Sequence, residues 1–224
     1  TMLCPNCKKA ILRSCGAGIA AAEDLMNNNK RIFCAIRPPG HHAETTKAMG
    51  FCFINNIAVT ARYLQKKYKI KKVAIIDFDV HHGNGTQEIF YNDETVAYGS
   101  SHEFPLFPGT GSEEETGVGN IFNAPIKSGI KGKEFLKVFE QKVLNPIDKF
   151  KPEVVLISAG FDAHTRDPLA SINLESKDFY EITKKIVDLA NVHSEGRIIS
   201  FLEGGYDLLA LSESIKEHFL ALKI

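Results

Sequence analysis

Residues 75–86 read IIDFDVHHGNGT. An apolar run stops at Asp77 and Asp79, followed by His81, His82 and two glycines. Side chains alternate between faces of an extended backbone, so Asp77, Asp79 and His81 are expected on one side. Two carboxylates so placed repel each other unless a cation lies between them. Asp79 and His81 are then natural ligands for a borderline divalent metal such as zinc. A lone Asp-x-His would more often be an acidic strand end with helix-capping histidines. Here a second tandem pair, His41 and His42 in RPPGHHA, argues for chemistry instead.

A catalytic zinc takes about three protein ligands and keeps one position open. The third ligand should come from another strand end. Asp162 in SAGFDAH is the best candidate, and His164 competes with it, its plainer reading being a surface-loop role. Such a metal would activate a water and polarise a carbonyl. That chemistry also needs a general base, a general acid and an oxyanion donor. His41 and His42 share a Gly/Pro loop and can both face a pocket. Tyr206 follows Gly204 and Gly205, where the backbone can approach a ligand closely, so its hydroxyl is a plausible oxyanion donor. Taken alone, Tyr206 is equally a packing tyrosine.

These residues need a scaffold that aims them at one place. Helical spacing predicts helices over 5–27, 53–68, 133–149, 176–193 and 207–221, with a short one in TQEIFY. RIFCAI, KKVAIIDFD, TVAYGSS, IFNAPI, EVVLISAG and RIISFLE read as strands. Apolar strands alternating with helices predict a single α/β domain over residues 1–224, its parallel sheet covered on both faces. Five strands run into polar loops: RPPGHHA, VHHGNG, HEF, FDAHTRDP and GGYD. Ligands of open α/β sheets bind beyond the carboxyl ends of the strands, so these loops should share one rim.

The totals exclude some functions. Formal net charge is +0, against a nucleic-acid binder held by bulk electrostatics. No apolar run is long enough to span a membrane. The five cysteines are odd in number and form no framework, which suits a reducing, cytoplasmic compartment, or a nuclear one in a eukaryote. CPNC lacks the second pair of a zinc ribbon and reads as a helix start with Pro5 near the first turn. The lysines of KKYKIKK suit a helix C-terminus better than a targeting signal.

RPPGHHA, GFCFINN, DFDVHHGNG, FPGTG, SAGFDAH and LEGGYD together resemble the zinc-dependent histone deacetylase and acetylpolyamine amidohydrolase superfamily, in its class II or bacterial branch. The resemblance implies the arginase/deacetylase fold and one catalytic zinc on Asp79, His81 and Asp162. It implies His41 and His42 as catalytic histidines, the latter nearer to general-base duty, with Asp77 behind His41 and Asn84 behind His42. Class I relatives carry an aspartate where Asn84 stands. A neutral amide there should bias His42 less toward its protonated form. Tyr206 would bind the oxyanion, and Gly50, Phe51, Phe107, Leu169 and Gly205 would line a channel for an extended alkyl chain. A structural potassium would sit at Asp77, Asp79, His81, Ser100 and Ser101, mostly on backbone oxygens.

The implied substrate is an acetyl-lysine peptide or protein, or a small acetylated amine, with no nucleic-acid or membrane partner. An acid follows the Asp-Pro of the fifth motif's loop in the polyamine-selective branch. Leu169 stands there, which favours acetyl-lysine or a neutral acylated amine. Family domains usually begin with a strand and a His-Pro-Glu loop that nothing in residues 1–224 matches; in relatives that segment also supplies rim residues that grip the substrate, so the resemblance carries over to the metal site and not to those rim contacts. Two rival readings stand beside this one. DAHTRD resembles the ligand run of dimanganese arginase-like hydrolases, but one extra residue spoils its register. A non-catalytic binder of acetylated partners should have lost a ligand, a histidine or the tyrosine, and all are present.

Overall fold

The computed structural model describes residues 1–3, 5–27 and 30–223. Its elements follow in chain order: α1 (Cys7–Asn27), β1 (Arg31–Cys34), α2 (Asn56–Tyr68), β2 (Val73–Asp77), α3 (Asn84–Phe90), β3 (Val96–Glu103), β4 (Ile121–Ile126), α4 (Gly132–Phe139), α5 (Asn145–Phe150), β5 (Val154–Ala159), α6 (Ser176–His193), β6 (Ile198–Leu202) and α7 (Leu208–Leu222). The six strands form one sheet in the order β1-β6-β5-β2-β3-β4, and every pairing is parallel.

The alternation of apolar side chains along each strand builds two cores. Ala74 and Ile76, with Val155 and Ile157, face a layer carrying Phe139, Phe179 and Ile186 from the helices. Val73 and Ile75, with Val154 and Leu156, face α1 and α2 through Ala22, Leu25, Ala61 and Leu64. Burial on both sides explains why these strands are continuously apolar in sequence. Helix starts are marked locally. The Asn55 side chain caps α2 by accepting from the Ala58 N–H at 3.0 Å, and Glu175 with Asp178 makes a capping box at α6.

The chain leaves β2 toward β3 and leaves β5 toward β6, on opposite sides of the β2–β5 seam. That divergence opens a crevice at the carboxyl ends of β2 and β5, where Asp79, His81 and Asp162 follow.

Two elements differ from expectation. β2 ends at Asp77, so Asp79 and His81 lie on a bent loop and strand alternation does not orient them. The helix expected over 133–149 is three pieces: α4, a π-helical turn (Glu140–Leu144) and α5. Pro146 has no N–H for an i−4 bond, and the wider turn, with the Asn145 N–H on the Glu140 carbonyl, carries the chain past it. Of the CPNC stretch, Cys4 lies outside the described residues and Cys7 opens α1. No described helix is long and apolar enough to cross a membrane.

Candidate active site

The loop after β2 is folded by its own carboxylates. Asp77 Oδ1 accepts from the Asp79 N–H at 3.1 Å, and Asp79 Oδ1 accepts from the His81 N–H at 2.9 Å. These two successive Asx turns, rather than a pleat, set the three side chains. Asp79 Oδ2 accepts from the Gly204 N–H (2.7 Å), and Asp162 Oδ1 from the Val80 N–H (3.0 Å). A Cβ at Gly204 would stand 2.1 Å from Asp162 Oδ2, so only glycine admits this approach.

The remaining oxygens converge. His81 Nδ1 lies 3.0 Å from Asp162 Oδ2 and 3.2 Å from Asp79 Oδ1. The three residues are buried, and their ligand atoms lie within 4.8 Å of one another. His164, the rival ligand, is not in this group: its Nε2 meets Ser176 Oγ (3.2 Å) and its Nδ1 accepts from the Arg166 N–H (3.1 Å).

The electrostatics fit a cation. Burial and the Asp79 charge push Asp162 up to about 6. Burial would raise Asp79 too, but His41 and His81 pull it down. Burial opposes a proton on His81, yet the two carboxylates push it up to about 11. A proton on Nδ1 thus fills the gap between two acids. That donor set, two carboxylates and an imidazole with an open side, suits a divalent metal in the same place.

The tandem histidines sit beside this group, their rings 4.0 Å apart. His41 Nδ1 meets Asp77 Oδ2 at 3.0 Å, and Asp77 also accepts from the Tyr98 hydroxyl at 3.0 Å. Burial opposes charge on His41, but Asp77, Asp79 and Glu203 push it up to about 10. His42 Nδ1 meets Asn84 Oδ1 at 2.9 Å. Burial, then the neighbouring His41 charge, pushes His42 down to about 3. Two adjacent imidazoles are thereby held in opposite protonation states, the pattern of a divided acid–base site.

A pocket of about 450 Å³ opens onto these groups. His42, Gly50, Phe51, His81, Phe107, Leu169 and Tyr206 line it, with Leu106 beside them. The Phe107 ring stands edge-on to His42 at 5.1 Å, and the Phe51 and Tyr206 rings are 6.2 Å apart. Gly50 has φ 54°, and a Cβ there would stand 2.2 Å from the His42 ring. Burial and the two acids Asp79 and Asp162 raise the Tyr206 hydroxyl, so it stays a neutral donor. Gly205 was expected in the channel wall, but it is not in the lining. It lies behind Tyr206, where its carbonyl accepts from Arg37 at 3.4 Å and Leu211 occupies the space a Cβ would need.

Asp77 pairs with Ser100 across β2 and β3. Ser100 Oγ meets His102 Nδ1 at 2.9 Å, while Ser101 Oγ is buried with no hydrogen-bond partner among the described residues. An orphaned buried oxygen beside the Asp77 loop fits an oxygen-ligated cation there.

Sequence reasoning missed the supports. Glu203 is fully buried, and its Oε2 accepts from the Gly40 N–H at 2.7 Å and the His41 N–H at 3.2 Å. It holds the histidine loop onto the end of β6, and burial pushes it up to about 7. Its signal was an acid directly after a buried strand and before two glycines. Asp167 accepts from the Tyr206 N–H (2.8 Å) and the Leu169 N–H (3.0 Å), tying the tyrosine to the channel wall. Tyr98 lay inside an apolar strand and gave no signal.

A model of the histone deacetylase domain matches residues 1–222. The chain is 40% identical over 220 residues to histone deacetylase 10, chloroplastic, of Oryza sativa subsp. japonica, covering 94% of this chain and 50% of that protein. It is also 40% identical over 202 residues to a probable deacetylase of Archaeoglobus fulgidus, covering 88% and 56%. The crystal structure of the HDA15 HD domain superposes with a TM-score of 0.89 at 37% identity, covering 96% of this chain and 63% of that one. The chain spans about half the length of these curated relatives. It belongs to the histone deacetylase domain family.

Proposed function

We propose that this chain carries a zinc-dependent amidohydrolase site that removes acetyl groups from acetyl-lysine side chains or related acylated amines. The observation that carries the reading is that His42, His81 and Tyr206 open onto one pocket, beside the Asp79–His81–Asp162 group. Zinc held by those three residues would lower the pKa of a bound water and polarise the acyl carbonyl. His42, kept uncharged by burial, takes the proton from the attacking water at its free ring nitrogen. His41, kept charged by Asp77, stands next to it and biases that proton toward the leaving amine. The Tyr206 hydroxyl donates to the developing oxyanion. Phe51 and Phe107 exclude water along the alkyl stem, and Leu169 leaves the mouth apolar. A potassium ion at Asp77, Asp79, His81, Ser100 and Ser101, held by backbone and hydroxyl oxygens, would offset the local negative charge.

An apolar mouth neither attracts a second ammonium nor repels a peptide, so acetyl-lysine is the favoured substrate over an acetylated polyamine. The test is turnover by the full-length, zinc-loaded protein of acetyl-lysine peptides, N-acetylputrescine and N-acetylspermidine, with and without a chelator. Chelation should abolish activity, and the peptide should have the highest kcat/KM. Leu169→Glu should shift preference toward the polyamines. Absence of turnover on every amide in the presence of zinc would overturn the reading.

A further inference from the structure

Asn84 raises a problem of orientation that an aspartate would not. An amide has an acceptor end and a donor end, and either can face an imidazole nitrogen. If the oxygen faces His42 Nδ1, that nitrogen carries the hydrogen and Nε2 keeps its lone pair. If the NH2 faces it, the tautomer reverses and Nε2 carries the hydrogen. Only the first arrangement leaves His42 able to take a proton at Nε2. A third group must decide between them.

Glu44 sits where that decision is made. Its Oε1 lies 2.6 Å from Asn84 Nδ2, and Met49 Sδ lies 3.3 Å from the same nitrogen. A carboxylate only accepts, so it rejects the amide oxygen and selects the NH2. The amide oxygen is left toward His42 Nδ1 at 2.9 Å. Glu44 is half-buried, on the loop that carries both histidines, with its own N–H on the Lys47 carbonyl. Among the described residues, no other group hydrogen-bonds Glu44 Oε1.

We infer that Glu44 is a positioning residue: by orienting the Asn84 amide it fixes His42 in the Nδ1–H tautomer. The inference rests on the proposed role of His42 as the base, but its structural content does not. Two variants separate an orienting role from a merely structural one. Glu44→Gln keeps the shape and adds a donor, so the Asn84 amide loses its preferred direction. Glu44→Gln combined with Asn84→Asp restores a unique arrangement: the glutamine NH2 donates to one aspartate oxygen, and the other accepts from His42 Nδ1–H.

The experiment is long-range 15N–1H spectroscopy of the histidine rings in the zinc-loaded protein, together with steady-state kinetics. Wild type should show His42 as the Nδ1–H tautomer, and Glu44→Gln should show a mixture. Glu44→Gln should lower kcat by roughly tenfold, the scale of one neutral hydrogen bond, with KM little changed. The double variant should return to a pure Nδ1–H tautomer, because its network is again unambiguous. Glu44→Ala provides the same tautomer test should the glutamine variant fold poorly. A pure Nδ1–H tautomer in Glu44→Gln and Glu44→Ala overturns the inference, whatever the activity. A tautomer shift in a protein without deacetylase activity upholds it and overturns the proposed function instead.

Discussion

Two buried regions of this protein hold histidine between hydroxyl or carboxyl groups, and they are built to opposite ends. At His218, on α7 and facing α6 and β6, Nδ1 meets Thr183 Oγ1 at 2.6 Å and Nε2 meets Ser200 Oγ at 2.8 Å. Thr183 spends its own hydrogen on the Phe179 carbonyl, so it accepts from His218, and Ser200 donates. Every group is satisfied and uncharged, and Phe33, Phe78 and Phe161 close the ring edges. At the crevice, His41 meets Asp77, His81 meets Asp79 and Asp162, and His42 meets Asn84, all buried, with open pocket on one side. Burial alone does not separate structure from function. The separation lies in whether the polar groups cancel within the protein or leave charge for something else to cancel.

Removing a ligand should break the comparison most sharply. Asp162→Asn takes away one of two crowded negative charges. It should abolish metal binding and cost more than the roughly 10–100-fold activity that loss of a metal's outer-shell partner costs. The metal-free variant should be no less stable than metal-free wild type. Metal analysis and chemical denaturation of both proteins check this. Full metal occupancy in Asp162→Asn would show that the ligand set is wrong.

Tyr206→Phe acts on the transition state alone. It should lower kcat by roughly 10²–10³ with a much smaller change in KM. Activity within twofold of wild type would remove the tyrosine from the mechanism.

His218→Ala is the counterpart in the core. It leaves the Ser200 hydroxyl without its partner and opens a cavity, while Thr183 keeps its bond to the Phe179 carbonyl, so it should destabilise by roughly 3 kcal/mol in urea denaturation, with metal content unchanged. Burial pushes His218 down to about 3 from an ordinary value near 6.5. The unfolded chain therefore takes the proton first as pH falls. Stability tied to this residue is complete above about pH 6.5 and is lost toward pH 3, by up to about 1.4 kcal/mol per unit. Other buried histidines add to the total slope, so the difference between wild type and His218→Ala isolates this one. An identical slope in both would mean that His218 is not held neutral.

The sequence was readable where residue type and chemistry coincide. Asp79, His81, Asp162 and the two tandem histidines are costly to bury without purpose, and the apolar runs before them located the sheet and its rim. The supports were not readable, because their meaning depends on distant partners. Glu203 gains its role from amides more than 160 positions away. Glu44 looks like one more polar residue next to the exposed residues 45–48. Strand alternation was carried four residues past Asp77, to His81, where Asx turns take over. The break before α5 was also missed, since the apolar spacing of 133–149 runs through Pro146 without a gap.

The pairing of β1 has a consequence for synthesis of the chain. β1 is an edge strand whose one partner in the described sheet is β6, with Arg31 opposite Ile198 and Cys34 opposite Phe201. The histidine loop that follows β1 is anchored by Glu203, just beyond β6. Both contacts close loops of more than 160 residues. While the ribosome is still making the middle of the protein, α1 can already pack on α2, but β1 has no β6 to pair with and the histidine loop has no Glu203 to hold it. At roughly 5–20 residues per second that interval lasts on the order of ten seconds or more. The histidine loop thus takes its final place only after β6 and Glu203 have left the exit tunnel. The early segment must be kept from wrong partners until then.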